Sequence, residues 1–477
     1  LEDETAASIK QRHSGVKPEN FQAVMPLRPG YGTKGGGFTV FANYFELSTP
    51  KELSLHRYNM SILEVGTNKE PTGKKAKRVV QLLILQHFLA DRARIVTDFR
   101  SNLFCKRALT LGEQPLRVVY WPEEEDEPDA SATNVKAYNV KMVASGSVLV
   151  SSLIDHLASS RADATCATKD ETLQALNILF GQHPKDVRNI FNIVASKHFP
   201  MNPDQADQHD LGAGLTAIRG YFMSVRPATG RLLVNVQVKH VPCLTPASLG
   251  LVIKQWQSSN SSQPARLSIF LKRVRVRVTH IKKTNKDGQT IDRIKTITGL
   301  AFPNDGAGTP HPPRVARLGA GPKEVEFWLE AAPGTAGGAG PSSPSTAKSK
   351  KPAASATGGK YISVYDFFRR SESSSWFGFV LAMLMTYAAY PNVRFNTGDE
   401  NIPVVNVGTK ERPSYLPAVV CEVMPGQASG AKLSSNQTAQ MINFAVRQAG
   451  VNVASIVSAG ANLLAFRSPN TPLVSYS

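Results

Sequence analysis

The chain has 477 residues, with 55 Lys and Arg against 37 Asp and Glu, a formal net charge of +18, and is 42% hydrophobic and 19% charged. That length exceeds a single hydrophobic core, so about two to four domains are expected, and the apolar fraction is ordinary for a globular protein. The positive excess favours polyanionic partners and says nothing about fold. The four cysteines, Cys105, Cys166, Cys243 and Cys421, are far apart and form no CxxC pair, which argues against a zinc ribbon or a disulfide framework and fits the cytosol or nucleus.

Residues 1–25 are polar and read as a flexible lead-in. From "RPGYGTKGGGFTVFANYFEL" the pattern turns strand-like, with Gly35, Gly36 and Gly37 marking a turn and "HRYNMSIL" (His56 to Leu63) as the expected partner strand. "AKRVVQLLILQHFLADR" is helical, because Val79, Leu82, Leu83 and His87 recur at spacings of three to four. Two strands, "LRVVYW" and "YNVKMV", flank the acidic run "EEEDEPD" (Glu123 to Asp129), a solvated loop of repelling charges. Two helices follow, "SVLVSSLIDHLASS" and "KDETLQALNILFGQHP"; Asp170 and Glu171 suit the negative first turn of the second. "LTAIRGYFMSVRP" and "GRLLVNVQVKHVP" form a hairpin around Pro227 and Gly230.

A third region opens with the helix "SLGLVIKQW" and continues into "RVRVRVTHIKK". In a strand, alternate side chains share a face, so Val274, Val276 and Val278 form one face and Arg273, Arg275 and Arg277 the other. Such a strand is either a charged, aggregation-resistant edge or a contact for a nucleic-acid backbone. Between Arg266 and Lys295 there are ten Lys and Arg against two Asp. "GQTIDRIKTITGLAFP" and "EVEFWLE" are further strands; then "APGTAGGAGPSSPSTAKSKKPAASATGG" (Ala332 to Gly359) is low complexity. Order resumes at "KYISVYDFF". The apolar run Trp376 to Tyr390 reads as a buried helix, too short for the roughly 20 residues that span a bilayer. "SNQTAQMINFAVRQA" is an amphipathic helix that Gly450 should end, and "NVASIVSAGANLLAF" is a second.

No P-loop, HExxH or GxSxG motif occurs. Asp204, Asp207, His209 and Asp210 are the nearest approach to a metal cluster, and a polar loop accounts for them. Binding chemistry is better represented. Single-stranded nucleic acid asks for cations along the backbone and aromatics that stack on bases. The cations are Arg275, Arg277, His280, Lys282, Lys283 and Arg293; the aromatics are Phe302, Tyr365, Phe367, Phe368, Tyr390 and Tyr415.

These stretches resemble the N-terminal half of a eukaryotic Argonaute, and most of all the fungal RNA-silencing proteins of the quelling type. "RPGYGTKGGGFTVFANYFEL" is similar to the opening of the N domain, and "LTAIRGYFMSVRPATGRLLVNVQV" to the hairpin of the first linker. "VRVTH" with "DRIKTITGLAFP" resembles the core of a PAZ domain. "PVVNVGTKERPSYLPAVVCEVMPGQ" and "NQTAQMINFAVRQ" resemble its exit and the second linker.

The resemblance implies an α+β multi-domain chain. Its parts are a mixed α/β N domain (26–150), a small α+β first linker (151–243), a PAZ domain (244–420) and a helical second linker (421–477). PAZ would be an OB-like β-barrel with an inserted αβ module and the low-complexity insertion at 332–359. It implies that PAZ holds the 3′ end of a small guide RNA, such as a small interfering RNA, in an aromatic cleft. His280, Arg293, Phe302, Phe367, Tyr390 and Tyr415 would hold that end; Arg275, Arg277, Lys282, Lys283, Arg369 and Arg412 would follow the backbone. Phe367 and Asp292 stand where the family commonly has tyrosine, and "SESSSWFGFVLAMLM" is inserted before Tyr390. The N domain would wedge the guide–target duplex. The family's slicer carboxylates and their Mg²⁺ belong to a PIWI domain, expected to lie with MID beyond this chain. The chain is therefore expected to be non-catalytic and to need no cofactor. Its expected partners are guide RNA, target RNA, its own MID–PIWI half and silencing-complex proteins, with no membrane. The alternatives are a part of a guide-directed RNA endonuclease and a protein-interaction module.

Overall fold

The computed structural model describes residues 42–48, 52–123, 125, 127–128, 135–159, 166–194, 196–228, 230–260, 263–284, 288, 290–330, 359–369 and 393–466. The lead-in, the Gly35–Gly37 turn, nearly all of the low-complexity stretch, the helix expected at 376–390 and Tyr390 itself lie outside the described residues. So do parts of the acidic run and the side chains of Lys282 and Lys283. Contacts divide the described chain into two compact units. One holds the residues up to Pro203, Arg219–His240 and those from Ala445 onward; the other holds Asp204–Ile218 and Val241–Phe444.

In the first unit, β1 (Tyr44–Leu47) does not pair with the expected "HRYNMSIL" strand. That stretch lies in β2 (Ser54–Glu64), within a five-stranded sheet with β3 (Ile95–Thr97), β4 (Asn102–Cys105), β5 (Leu116–Val119) and β6 (Ala137–Leu149), in the order β3-β4-β2-β6-β5. β2 alternates: Tyr58, Met60 and Ile62 are buried while Asn59, Ser61 and Leu63 are exposed. Its buried face packs on the helix Lys74–His87, whose Val79, Val80, Leu82 and Leu83 are all 0% exposed. Burying each such side chain contributes about 1.5–3 kcal/mol. His87, expected on the same stripe, is the last residue of the helix; it is exposed, with Nε2 2.9 Å from the Arg117 carbonyl oxygen.

β6 runs on to Leu149, so the next helix begins at Val150 (Val150–Ala158) rather than at Ser147. The helix Lys169–Phe180 carries Asp170 and Glu171 in its first turn, where acids favour the helix dipole. Then come β7 (Ile190–Ile193), β8 (Lys197–Pro200), β9 (Gln208–Gly212), β10 (Leu215–Ala228) and β11 (Arg231–Leu244). They form a sheet in the order β1-β11-β10-β8-β7, with β9 on the start of β10 and Tyr44 of β1 opposite Asn235 of β11. Leu176, Leu179 and Phe180 pack on Tyr221, Met223, Leu232 and Val234. The cluster Asp204, Asp207, His209 and Asp210 is partly β9 rather than all loop, and His209 stacks on Phe444 at 5.7 Å. No group of three or more His, Cys, Asp or Glu able to hold a metal occurs among the described residues.

Besides β9, the start of β10 and the end of β11, the strands of the second unit are β12 (Arg275–Thr284), β13 (Thr290–Thr296), β14 (Gly299–Leu300), β15 (Arg314–Val315), β16 (Val325–Glu330), β17 (Gly359–Ser363), β18 (Val405–Asn406), β19 (Tyr415–Leu416) and β20 (Cys421–Val423). They make three sheets, β13-β12-β20, β14-β18-β19 and β15-β16-β17. The last, with the helix Val364–Arg369, is a chain excursion between β14 and β18, which pair directly with each other. Gly359 belongs to β17, opposite Glu330, not to the low-complexity stretch. A Cβ there would stand 2.6 Å from the Trp328 indole, so only glycine fits. The helices Leu249–Ser259 and Pro264–Leu271 bury Val252, Ile253, Leu267 and Leu271 in this unit's core, and Pro264 starts the second helix where its missing N–H costs nothing. The amphipathic helix Ser435–Ala445 ends before Gly450, which lies inside the next helix, Ala449–Ser455.

Candidate nucleic-acid interface

The valine face of β12 is buried as the alternation requires: Val276 and Val278, with Val274 just before the strand, are at most 4% exposed. The same parity carries on to His280, two residues past Val278, which is buried beneath the edge of Phe368 with ring centroids 5.0 Å apart. Burial, aided by the nearby charge of Arg293, pushes the imidazole down to about 4. His280 is therefore neutral at pH 7 and not the cation expected from its place after the arginines. Arg293 is half-buried opposite Val278.

On the other face Arg275 is half-buried and its backbone N–H donates to Gln427 Oε1 at 2.7 Å. Arg277 is exposed, but it pairs with Glu422 of β20 and, at 3.3 Å, with Asp292 of β13. Its charge, expected to meet RNA phosphates, already faces two carboxylates, and Asp292 is engaged by this pair.

The inserted sheet and its helix gather the aromatics. Phe367 meets Phe368 at 5.3 Å and Phe327 at 5.2 Å, both edge-to-face, so that a run of rings leads from His280 through Phe368 and Phe367 to Phe327. Tyr365 lies 4.8 Å from Phe395, with Lys323 Nζ 4.9 Å and the Arg369 guanidinium 5.7 Å from its ring centre. On Trp328, His311 stacks at 3.9 Å, and Arg314 sits 3.8 Å above the neighbouring Tyr361. Phe327, Phe395, Lys323 and Arg314 were not among the expected site residues. Phe327 was detectable, because "EVEFWLE" alternates; Phe395 and Lys323 reach Tyr365 only through tertiary folding.

Phe302 is 39% exposed and makes no ring contact among the described residues. It precedes Pro303, which lines a cleft of about 380 Å³ together with Arg314, Lys323, Glu324 and Glu326. Glu326 is 3.7 Å from Arg314, and Glu324 is 3.2 Å from Arg317. Tyr415 is buried and donates its hydroxyl to Asp305 Oδ2 at 3.0 Å; burial and then the Asp305 charge push its pKa up. Its hydroxyl is thus engaged within the fold. Arg369 and Arg412 are exposed, the latter on a turn where its N–H donates to Thr409 Oγ1 at 3.0 Å.

A family model for the N-terminal domain of argonaute matches residues 37–180, and one for the Argonaute linker 1 domain matches residues 194–245. Protein argonaute 1D of rice (Oryza sativa subsp. japonica) is 24% identical over 441 residues, covering 89% of this chain and 33% of its own. Protein argonaute 1C of rice is 26% identical over 300 residues, covering 60% and 28%. The chain thus spans about a third of the length of these curated relatives. Its fold is similar to that of the Kluyveromyces polysporus Argonaute with a guide RNA, with a TM-score of 0.50 at 13% identity over 92% of this chain and 44% of that one. By these matches residues 37–180 are similar to the N-terminal domain of argonaute and residues 194–245 to the Argonaute linker 1 domain.

Proposed function

We propose that this chain is the guide-RNA-holding portion of an Argonaute-type silencing effector of the quelling class, acting in the cytoplasm and nucleus. Its second unit works as a PAZ-like clasp for the 3′ end of a small RNA, and its N-terminal domain wedges the guide–target duplex. The chain itself binds and does not cut. The observation that carries the reading is the exposed ring of Phe302, whose neighbour Pro303 lines a cleft with Arg314 and Lys323. Stacking surface and cations together are what a single-stranded RNA end requires. Guide RNA is the primary partner, followed by target RNA, the remainder of the protein and silencing-complex proteins. The test is a titration with single-stranded RNA bearing a free or a blocked 3′ terminus. Binding should favour the free end, and Phe302→Ala should remove that preference at a loss of about 1–3 kcal/mol. Equal affinity for both termini would overturn the clasp.

A further inference from the structure

Two turns of the second unit present exposed side chains suited to RNA. The first, between β14 and the inserted module, carries Phe302; the second, between β18 and β19, carries Lys410 and Arg412. Between them lies Asp305, only 5% exposed. Its Oδ2 accepts three hydrogen bonds: from the Phe302 N–H at 3.1 Å, from Asn406 Nδ2 at 3.2 Å and from the Tyr415 hydroxyl at 3.0 Å. Asn406 extends the connection, since its Oδ1 accepts from the N–H groups of Gly408 (2.9 Å) and Ser414 (3.1 Å) and so closes the second turn. Backbone joins backbone where the Gly306 N–H donates to the Lys410 carbonyl at 2.8 Å. Gly306 has φ +66°, and a Cβ there would lie 2.9 Å from Pro313, so the close approach needs glycine.

A buried carboxylate is costly unless its lone pairs are satisfied. Here three neutral donors converge on Oδ2, and among the described residues Asp305 has no ion-pair partner. An apolar core residue would fill this place without that cost. What the carboxylate adds is a connection between two turns that are otherwise separate in sequence. We propose that Asp305 is the positioning residue of the RNA clasp, latching the Phe302 turn to the Lys410–Arg412 turn so that the ring and the two cations act as one surface. The ligand part of this inference rests on the reading given above.

The experiment is a double-mutant cycle. Asp305→Ala, with Tyr415→Phe as the gentler variant that removes one donor and keeps the ring, is measured for affinity toward single-stranded RNA with a free 3′ end. Each is measured alone and combined with Phe302→Ala. Asp305→Ala should weaken binding about tenfold in the unaltered chain and less than twofold once Phe302 is gone, with Tyr415→Phe following the same pattern more weakly. A residue that merely supports the fold would cost the same factor in both backgrounds, and that result would sink the proposal. Hydrogen exchange of the variants without RNA gives a separate readout. The amides of 302–306 and 407–414 should lose protection together; loss confined to one turn would also overturn the latch. If the unaltered chain binds no RNA, the functional reading fails, while the exchange data still decide the latch.

Discussion

At the scale of single residues, the histidines are most informative. His198 of β8 is fully buried, with Nδ1 2.5 Å from Asn192 Oδ1, and burial, with the charge of Lys185 adding, pushes its imidazole down to about 4. His280 shares that value for the same leading cause. The ordinary histidine value is about 6.5, so between pH 6.5 and 4 the unfolded chain binds protons that the folded chain refuses. The stability held by these neutral rings is fully present above pH 6.5 and is lost as pH falls toward 4. At pH 5.5 each should cost about 1 kcal/mol. Urea unfolding at pH 7.5 and pH 5.5 checks this, and His280→Phe should remove its share of the loss. A midpoint that does not move over that interval would contradict both assignments. His280→Ala, by loss of a buried ring, should destabilise the second unit by about 2–4 kcal/mol.

At the scale of elements, β12 shows what a sequence reveals and what it conceals. The valine face was legible from period two alone, and the buried partners of the helix Lys74–His87 from period 3.6. His280 was misread because chemistry was placed ahead of parity. The fate of Arg277 was hidden because Glu422 lies 145 residues away and reaches it only when β20 pairs with β12. Non-local pairing also hid the partner of β1, which is β11 and not its sequence neighbour. The ring contact of Phe367 with Phe327 and the hydrogen bond of Tyr415 to Asp305 were hidden in the same way, since both join residues far apart in sequence. The Arg277 cluster is exposed, with side chains 43–49% accessible, so solvent screens it. Arg277→Glu should therefore cost about 1 kcal/mol or less, visible as a small drop in urea midpoint that high salt abolishes. A loss of several kcal/mol would mean that the cluster holds the sheet together.

At the scale of the whole molecule, a net charge of +18 does not say which cations meet a polyanion. The structure separates them. Arg277 faces two carboxylates, Arg314 is near Glu326 and Lys323 is 3.6 Å from Glu400. Arg369 and Arg412 are exposed and take part in no ion pair among the described residues. A cation that already has a carboxylate partner gains less from a phosphate, because it must give up one attraction to make the other. A free cation displaces the counterions condensed on RNA, and each such contact adds about −0.7 to the slope of log K against log salt on a single strand. The expectation follows for a salt titration with a short single-stranded RNA. Replacing Arg369 and Arg412 together by Glu should flatten the slope by about 1.4. Arg277→Glu should leave it nearly unchanged, although net charge alone predicts the same loss per arginine for all three. Should Arg277 carry the slope while Arg369 and Arg412 carry none, the arginine face of β12 meets the backbone after all, and its ion pairs must open when RNA arrives.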